Sequence, residues 1–288
     1  MRWQKGRRSS NIEDRRGQRM GRGVKLGGGV TIIAIVAALF LGQDPGAILS
    51  ILDALQQQTG APSTAPSASS TAGSNDEASD FVSVVLADTE DTWSGLFSAA
   101  GQRYQPPKLV LYSGVVQSAC GTNSAASGPF YCPPDQRVYL DLSFLNELQR
   151  MGAPGDFAMA YVIGHEIGHH VQNLVGVSAQ VQQLQSRSSR SDANALSVLT
   201  ELQADCYAGV WAHHGHRQRN ILEQGDVEEA IGAASAVGDD RLQKAAGRRV
   251  HPDSFTHGSS EQRIHWLSVG LKSGDIKSCD TFDLAPGQ

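Results

Sequence analysis

His165-Glu166-Ile167-Gly168-His169 is the stretch of this sequence that decides its fold. It lies in a run whose many apolar side chains indicate a largely buried helix, which we predict over residues 156–175. Residues four apart on a helix differ by about 40° around its axis, so the two histidines share one face. Two imidazoles placed in this way can bind one zinc ion. Glu166 lies about 100° round the helix from His165, where it can accept a proton from a zinc-bound water.

The residues around this stretch argue against the alternative, a surface helix whose histidines are four residues apart by chance. Asp156 is predicted as the N-cap and Gly176 as the stop at the C-terminal end. Polar groups on a buried helix need partners, and a metal ion would supply them. His170 lies five residues after His165, about 140° away around the helix, so we expect it to face away from the metal and to have no catalytic role.

A second predicted helix, over residues 191–214, supplies candidates for the third metal ligand. A catalytic zinc site usually has three protein ligands and an open position for water. Glu201 and Asp205 are four residues apart, so Glu201 can be the third ligand while Asp205 accepts the N–H of a ligand histidine and fixes its tautomer. The small Ala204 and Ala208 would let the two helices lie close together. The alternative is an ordinary acidic pair on a solvated face.

The order H-E-x-x-H followed by E-x-x-x-D resembles the gluzincin group of the zincin metallopeptidases. The chain resembles more closely a bacterial family described as "putative neutral zinc metallopeptidase", nearly from end to end apart from a low-complexity linker. The likeness is carried by Met1-Arg2-Trp3, Glu13-Asp14-Arg15-Arg16-Gly17, Tyr131-Cys132-Pro133, Gly164-His165-Glu166-Ile167-Gly168-His169-His170-Val171-Gln172, Glu201-Leu202-Gln203-Ala204-Asp205-Cys206-Tyr207-Ala208-Gly209-Val210-Trp211 and Thr256-His257-Gly258. The resemblance implies a membrane-anchored zincin with zinc ligands His165, His169 and Glu201 and the base Glu166.

Two neutral imidazoles and one carboxylate suit a single tetrahedral Zn²⁺ per chain. Peptide hydrolysis at such a site also needs a hydrogen-bond donor to the negative oxygen of the tetrahedral intermediate. We predict His257 for this role, in a loop over residues 252–258 that precedes a helix with the capping box Ser259 and Gln262. Thermolysin-like enzymes use a downstream histidine in this way. The alternative is a loop histidine without a catalytic role.

Charge and hydropathy near the N-terminus predict a membrane anchor. Residues 1–25 contain nine Lys or Arg and two acidic residues, a net charge of +7, which leaves −12 for the rest of a chain whose total is −5. Residues 26–42 are uncharged and mostly apolar, and as a helix they would extend about 26 Å, enough to span a bilayer. The positive-inside rule then predicts a basic cytoplasmic tail over residues 1–25, a transmembrane helix over residues 26–42 and an extracytoplasmic catalytic domain at the bacterial cell membrane.

Three other interpretations of this region are less favoured. A cleaved signal peptide would need a small-residue cleavage site, and no good one follows Leu41. A buried helix of a soluble domain does not account for the step in charge on one side of the apolar run. Nucleic-acid binding is disfavoured because the basic run directly precedes an apolar span, which indicates membrane topology and contact with anionic lipids. We therefore expect no nucleic-acid partner.

Residues 43–80 are predicted as a juxtamembrane segment and a disordered linker, because their Gln, Thr, Ala, Pro, Ser and Gly cannot form a core. Residues 81–288 have a normal size for one catalytic domain. Helices predominate there, with strands predicted over residues 108–116 and 137–142. The predicted fold is α+β: a helix-rich zincin-like metallopeptidase domain with a small β-sheet, preceded by one transmembrane helix. In zincins an edge strand of the sheet binds the substrate backbone.

The four cysteines lack C-x-x-C spacing, which argues against a zinc knuckle. Outside the cytoplasm an even number of cysteines favours disulfides, and four cysteines can pair in three ways. We predict Cys120–Cys132, which closes a local loop, and Cys206–Cys279, which ties the second metal-binding helix to the C-terminal region. Free buried thiols are the alternative.

Three functions agree with these features. The first is a zinc peptidase that acts on extracytoplasmic proteins or peptides. The second is a zincin-fold scaffold or chaperone of the cell envelope that binds zinc without peptidase activity. The third is a membrane-anchored interaction protein whose H-E-x-x-H motif is incidental. The intact Glu166 favours the first, because a silent site has no need of a base. The sequence indicates neither the substrate nor the oligomeric state.

Overall fold

The computed structural model describes residues 1–17 and 77–282, and helices predominate in these residues. The strands are β1 Ile12–Asp14, β2 Lys108–Tyr112, β3 Val115–Ser118, β4 Gly121–Ser124, β5 Phe130–Cys132 and β6 Arg137–Asp141. The α-helices are α1 Glu77–Ala99, α2 Phe144–Arg150, α3 Asp156–Leu174, α4 Val177–Gln185, α5 Arg190–Arg219, α6 Asp226–Ala236, α7 Asp239–Ala245 and α8 Ser260–Ser273. Short 3-10 helices are Ala125–Ser127, Pro252–Ser254 and Ile276–Cys279.

A four-stranded sheet with the order β1-β2-β6-β5 lies beside the helices. β1, β2 and β6 run parallel, and the short β5 lies antiparallel to β6 at one edge. Leu109, Val110 and Leu111 of β2 are fully buried, so the centre of the sheet is covered on both faces. β3 and β4 form a separate antiparallel hairpin. The small sheet is present as predicted, and β1 and β5 are additions that the sequence pattern did not indicate.

The N-terminal segment Met1–Arg16 belongs to the same compact unit as the residues from Glu77 onward. Its strand β1 pairs with β2 at the edge of the sheet. Arg7 forms an ion pair with Glu90 at 2.9 Å, and Arg8 forms one with Asp80 at 2.5 Å. Two of the positive charges that suggested a cytoplasmic tail, Arg7 and Arg8, therefore have acidic partners on α1. The first 16 residues are part of the folded unit and not a separate tail.

The predicted transmembrane helix over residues 26–42 lies outside the described residues, as do residues 43–76 of the predicted linker. Within residues 1–17 and 77–282, no helix combines the length and the apolar character needed to cross a membrane. On this finding, the predictions of a membrane-spanning helix ahead of the domain and of a single-pass location in the bacterial cell membrane are wrong. The charge count behind the positive-inside argument treated Arg7 and Arg8 as free charges, whereas both are paired within the fold.

The helices that carry the predicted ligands approach one another at glycines. Where α3 packs against α5, a Cβ on Gly168 would lie 2.9 Å from the carbonyl oxygen of Ala204. Where α8 packs against α5, a Cβ on Gly270 would overlap the carbonyl oxygen of Cys206. Such close contact of backbones requires residues without a side chain. The predicted close packing at Ala204 is confirmed, and side chains of the three helices can reach one another.

Helix α5 is longer than predicted, because it continues through Gly215 and ends at Arg219. Gly215 is needed for close contact and not for a turn, since a Cβ there would lie 2.8 Å from Oδ1 of Asp88 on α1. The helix stops at Asn220, which has the left-handed conformation with φ of 54°.

Both predicted disulfides are confirmed. Cys120 is bonded to Cys132 of β5, and Cys206 of α5 is bonded to Cys279. We call residues 276–282 the C-terminal segment. Besides the disulfide, the hydroxyl of Thr281 donates a hydrogen bond to the carbonyl oxygen of a residue on α5 at 2.7 Å. The C-terminal segment is therefore fastened to the helix that carries Glu201 and Asp205.

Candidate active site

Helix α3 positions the central pentapeptide, and its first turn is held by another helix. Gly155 occupies the N-cap position with φ of 115°, and the Glu229 carboxylate of α6 accepts the backbone N–H of Phe157 at 2.9 Å. A side chain at Gly155 would overlap that carboxylate. The prediction of Asp156 as N-cap is wrong, because Gly155 is the N-cap residue and the Glu229 carboxylate accepts the hydrogen bond that an N-cap side chain would otherwise accept. The predicted stop is confirmed, since the left-handed Gly176 (φ 87°) follows the helix.

The structure brings the three predicted ligands together. The Nε2 atoms of His165 and His169 lie 3.1 Å apart. Glu201 of α5 contacts both rings, with Oε2 at 3.1 Å from His165 Nε2 and Oε1 at 3.3 Å from His169 Nε2. The side chains are buried or half-buried, and they converge from two helices on one point.

These distances fit a tetrahedral metal ion. With metal–ligand bonds of about 2.0–2.1 Å, two donors of a tetrahedral zinc lie about 3.3 Å apart. The Nε2–Nε2 distance of 3.1 Å is close to this value, and each ring lies 3.1 or 3.3 Å from a different oxygen of the Glu201 carboxylate. Two imidazoles and one carboxylate are also a donor set of catalytic zinc sites. His165, His169 and Glu201 could hold one Zn²⁺ and leave its fourth position open to the cleft that they line.

The other ring nitrogen of His165 contacts a buried charged pair. His165 Nδ1–H donates to Asp205 Oδ1 at 2.8 Å. Arg263 of α8 donates to both oxygens of Asp205 at 2.9 Å, and the hydroxyl of Tyr161 donates to Asp205 at 2.5 Å. Asp205 thus lies against His165, a predicted ligand, as the sequence predicts. This contact favours the tautomer in which the Nε2 lone pair of His165 is free for a metal.

The charges of this pair determine the protonation of the metal-free site. Burial alone would raise the pKa of Asp205, but the charges and hydrogen bonds of Arg263 and His165 together outweigh burial, and the pKa is lowered. Burial alone would lower the pKa of His165, but the charge and hydrogen bond of Asp205 and the hydrogen bond with Glu201 together outweigh burial and raise the pKa to about 10. Burial also acts to lower the pKa of His169, but the charge and hydrogen bond of Glu201 act to raise it, and the pKa of His169 is raised. Metal binding must displace these protons, so it is coupled to pH.

His169 is supported differently. Its Nδ1–H donates to the amide oxygen Oε1 of Gln172 at 2.9 Å. Gln172 lies three residues further along α3 and is fully buried. Its own amide N–H₂ donates to the carbonyl oxygen of Thr200 at 2.7 Å and to Gln203 Oε1 at 3.1 Å. A carboxylate therefore orients one ligand histidine, and a neutral amide orients the other.

Glu166 lies in the same cleft as the three donors and is not one of them. Its side chain is largely buried, and its carboxylate makes no hydrogen bond to the residues that the structure describes. A carboxylate that is next to a metal site and has no partner is available to accept a proton. The predicted geometry of Glu166, beside the metal and not bound to it, agrees with this placement.

His257 lines the same cleft on the loop before α8. Its Nδ1–H donates to Asp239 Oδ1 at 3.2 Å, and the backbone N–H groups of Thr256 and His257 donate to Asp239 Oδ2 at 2.7 Å each. The hydrogen bond that His257 donates to Asp239 raises the pKa of the His257 side chain, which is about half exposed. Asp239 therefore holds the loop and favours a protonated imidazole at the cleft.

The cleft has a volume of about 720 Å³. Phe130 and Tyr131 of the edge strand β5 form part of its wall, and Arg263 and Tyr161 line it near the metal ligands. Arg263 uses Nε and Nη2 in its hydrogen bonds, and its Nη1 makes none to the described residues. The cleft thus combines an apolar wall with a few polar groups, as in ligand-binding sites.

His170 faces away from the three donors, as predicted. Its Nδ1 accepts the hydroxyl of Tyr131 at 2.9 Å, and its Nε2–H donates to the carbonyl oxygen of Gln105 at 2.7 Å. Burial lowers the pKa of His170 to about 4, so the ring is neutral at physiological pH. His170 ties α3 to β5, which places the edge strand beside the pentapeptide.

Four residues of the site were not predicted. Tyr161 precedes His165 by four residues and Gln172 follows His169 by three, so helical spacing was an available signal for both. Arg263 and Asp239 come from α8 and α7, and no local spacing relates them to α3.

Comparisons with known proteins agree with this geometry. The chain matches the family described as "Putative neutral zinc metallopeptidase" over residues 1–282. Among curated relatives, the Escherichia coli "Uncharacterized protein YpfJ" is 48% identical over 292 residues, which cover 98% of this chain and 99% of that protein. The Mycobacterium tuberculosis "Uncharacterized protein Rv2575" is 39% identical over 259 residues, which cover 86% of each chain. No solved structure matches the chain significantly.

Proposed function

Since the chain belongs to the "Putative neutral zinc metallopeptidase" family, we propose that it is a zinc-dependent peptidase that hydrolyses peptide bonds of proteins or peptides. One observation carries this proposal: two imidazoles and one carboxylate converge where they could hold one metal ion, and the free carboxylate of Glu166 lies in the same cleft. A purely structural zinc site would be closed by four protein ligands and would need no neighbouring base.

His165, His169 and Glu201 would hold one zinc ion per chain. When bound, zinc would polarise the substrate carbonyl and lower the pKa of water towards about 7. Glu166 accepts the proton of the attacking water and delivers it to the leaving amine. His257 donates a hydrogen bond to the carbonyl oxygen as negative charge develops there, and this contact is stronger in the transition state than in the ground state.

The edge strand β5 is proposed to bind the substrate backbone. One edge of β5 pairs with β6, and within the described residues no strand pairs with the other edge. Because Phe130 and Tyr131 of β5 line the cleft, a peptide added to this edge would run past the metal ligands. Arg263 is proposed to contribute the N–H groups of Nη1 as donors to a substrate carbonyl.

The test is the substitution Glu166→Gln in the full chain, which is used because residues 1–16 are part of the fold. The amide has the same size but cannot accept the proton, so we expect a loss of at least ~10²-fold in the rate of peptide cleavage. Zinc content should stay at about one ion per chain, because Glu166 is not a ligand. The measurement is cleavage of a broad peptide library, with zinc content determined on the same samples.

The matched control is Glu147→Gln, since Glu147 lines the same cleft but forms an exposed ion pair with Arg150. This variant should cleave within about twofold of the wild type, because exposed pairs contribute little. Near wild-type cleavage by Glu166→Gln would contradict the mechanism. A wild-type protein that binds zinc and cleaves no peptide would contradict peptidase activity and favour a zinc-binding scaffold or chaperone.

A further inference from the structure

The amide that holds His169 belongs to a longer buried chain of hydrogen bonds. His169 Nδ1–H donates to Gln172, the Gln172 amide N–H₂ donates to Gln203 Oε1, and the Gln203 amide N–H₂ donates to the carbonyl oxygen of Cys279 at 3.0 Å. Gln172 is fully buried and Gln203 is nearly so. Three successive hydrogen bonds thus connect a predicted metal ligand on α3 to the C-terminal segment.

Backbone carbonyl groups fix which group donates and which accepts in each of these three hydrogen bonds. The carbonyl oxygen of Cys279 can only accept, so Gln203 must present its N–H₂ group there and its oxygen to Gln172. The carbonyl oxygen of Thr200 imposes the same orientation on Gln172. Gln172 must then present its oxygen to His169, which can satisfy it only with Nδ1–H. The Nε2 lone pair of His169 is left for the metal.

The end of this series of hydrogen bonds at Cys279 is held covalently. Cys279 is bonded to Cys206 of α5, and the same helix carries Gln203, Thr200 and the ligand Glu201. The disulfide therefore keeps the carbonyl oxygen of Cys279 in reach of Gln203.

We propose that Gln172 and Gln203 are positioning residues that fix the tautomer and ring orientation of His169 for metal binding. We call the hydrogen bonds from His169 through Gln172 and Gln203 to Cys279 the relay, and we propose that the Cys206–Cys279 disulfide anchors it. The proposal rests on the zinc site of the proposed function. It assigns a role in metal affinity to two glutamines and to a disulfide that do not touch the metal.

The experiment measures zinc affinity of the full chain by competition with a chelator. Gln172→Met keeps the length of the side chain and removes its hydrogen bonds, so we expect the dissociation constant for zinc to rise about 10- to 100-fold, the usual effect of losing such a contact. Gln203→Met should have a smaller effect in the same direction, because Thr200 still orients Gln172. The double variant Cys206→Ala/Cys279→Ala should also weaken zinc binding.

A second readout distinguishes orientation of the ligand from general loss of structure. With Co²⁺ in place of Zn²⁺, the visible absorption bands report the geometry of the ligands. Gln172→Met, Gln203→Met and the double cysteine variant should shift these bands in the same sense. Gln203→Met, which leaves Gln172 in place, keeps the test available if Gln172→Met does not fold.

Two matched controls lie outside the relay. Cys120→Ala/Cys132→Ala removes the other disulfide, which has no member in the relay. Thr281→Val removes a hydrogen bond between the C-terminal segment and α5 that is not part of the relay. Both should leave zinc affinity within about twofold of the wild type and the Co²⁺ bands unchanged, since neither variant removes a contact to a predicted ligand or to the two glutamines.

If Gln172→Met binds zinc with wild-type affinity, the proposed role of the relay in zinc binding is wrong. Wild-type affinity in Cys206→Ala/Cys279→Ala, together with weakened binding in Gln172→Met, would overturn the role of the disulfide. Failure of the wild-type chain to bind zinc would instead contradict the proposed zinc site. A zinc-binding chain without peptidase activity would contradict the proposed function and leave the relay supported by the affinities.

Discussion

The two predicted histidine ligands are one helical turn apart, yet their surroundings differ in kind. His165 is supported by the buried ion pair of Asp205 and Arg263, with the hydroxyl of Tyr161 as a further donor. His169 is supported by the neutral amide of Gln172, which is in turn oriented by backbone carbonyls. We call these the charged half and the neutral half of the site. Both leave an Nε2 lone pair for the metal.

The difference shows that two ligand histidines can be oriented in the same way although the free-energy cost of losing a supporting residue differs between them. In the charged half, each charge depends on the other, and removal of one partner leaves a buried ion uncompensated. In the neutral half, loss of one amide leaves only an unsatisfied dipole, which costs less. The charged half should therefore dominate stability and respond to pH. The neutral half should mainly affect metal affinity.

The largest expected effect is that of Arg263→Met on the stability of the zinc-free protein. Removal of one partner of a buried ion pair usually costs about 3–5 kcal/mol, because Asp205 would remain buried as an uncompensated charge. Gln203→Met in the neutral half should cost about 1–3 kcal/mol. Urea unfolding of both variants at neutral pH measures the two values. Equal costs would remove the distinction between the halves.

A smaller effect is expected for Tyr161→Phe. The phenyl ring keeps its packing, and the variant loses only the hydroxyl that donates to Asp205. Hydrogen bonds to charged groups contribute about 1.5–3 kcal/mol, so the free energy of unfolding should fall by that amount. If Arg263 alone stabilises Asp205, unfolding experiments will find Tyr161→Phe as stable as the wild type.

The smallest expected effect is a change in the free energy of unfolding at acidic pH. The charge of Arg263 lowers the pKa of Asp205 against the effect of burial. A carboxylate with a lowered pKa in the folded state contributes stability that is complete above its unfolded pKa of about 4 and is lost as the pH falls through the folded pKa. The destabilisation caused by Asp205→Asn should therefore shrink between about pH 5 and about pH 3.

Gln172→Met serves as the neutral comparison in the same urea titrations. Its destabilisation should be the same at both pH values, because a neutral amide does not titrate. The division into a charged and a neutral half would be contradicted if the destabilisation caused by Gln172→Met changed with pH. It would also be contradicted if the destabilisation caused by Asp205→Asn stayed constant.

The convergence of the candidate ligands could be predicted from the sequence because it depends on periodicity. His165 and His169 on one helix, and Glu201 and Asp205 on the next, each have the spacing that places two side chains on one face. The disulfide pairing was also predicted. The supporting residues Arg263 and Gln203 could not be predicted, because each depends on how three helices cross at Gly168 and Gly270. No spacing within one helix contains that information.

The N-terminal region was predicted incorrectly for a related reason. A count of charges treats each Arg as free, whereas Arg7 and Arg8 have partners on α1 that are more than 70 residues away in sequence. Strand β1 contains Ile12 and two acidic residues, so its composition does not indicate a strand. Its conformation depends on hydrogen bonds to β2, which the local sequence does not record.

The pairing of β1 with β2 means that two distant parts of the polypeptide are joined twice, once by the backbone and once by the sheet. Ile12 lies beside Leu109 although 97 positions separate them (109 − 12). A protease that cuts anywhere in residues 18–76 would therefore produce two fragments without releasing the shorter one. The fragments should elute together from a size-exclusion column and separate only in denaturant. The N-terminal 17 residues, supplied as a synthetic peptide, should for the same reason bind to a chain that begins at Glu77.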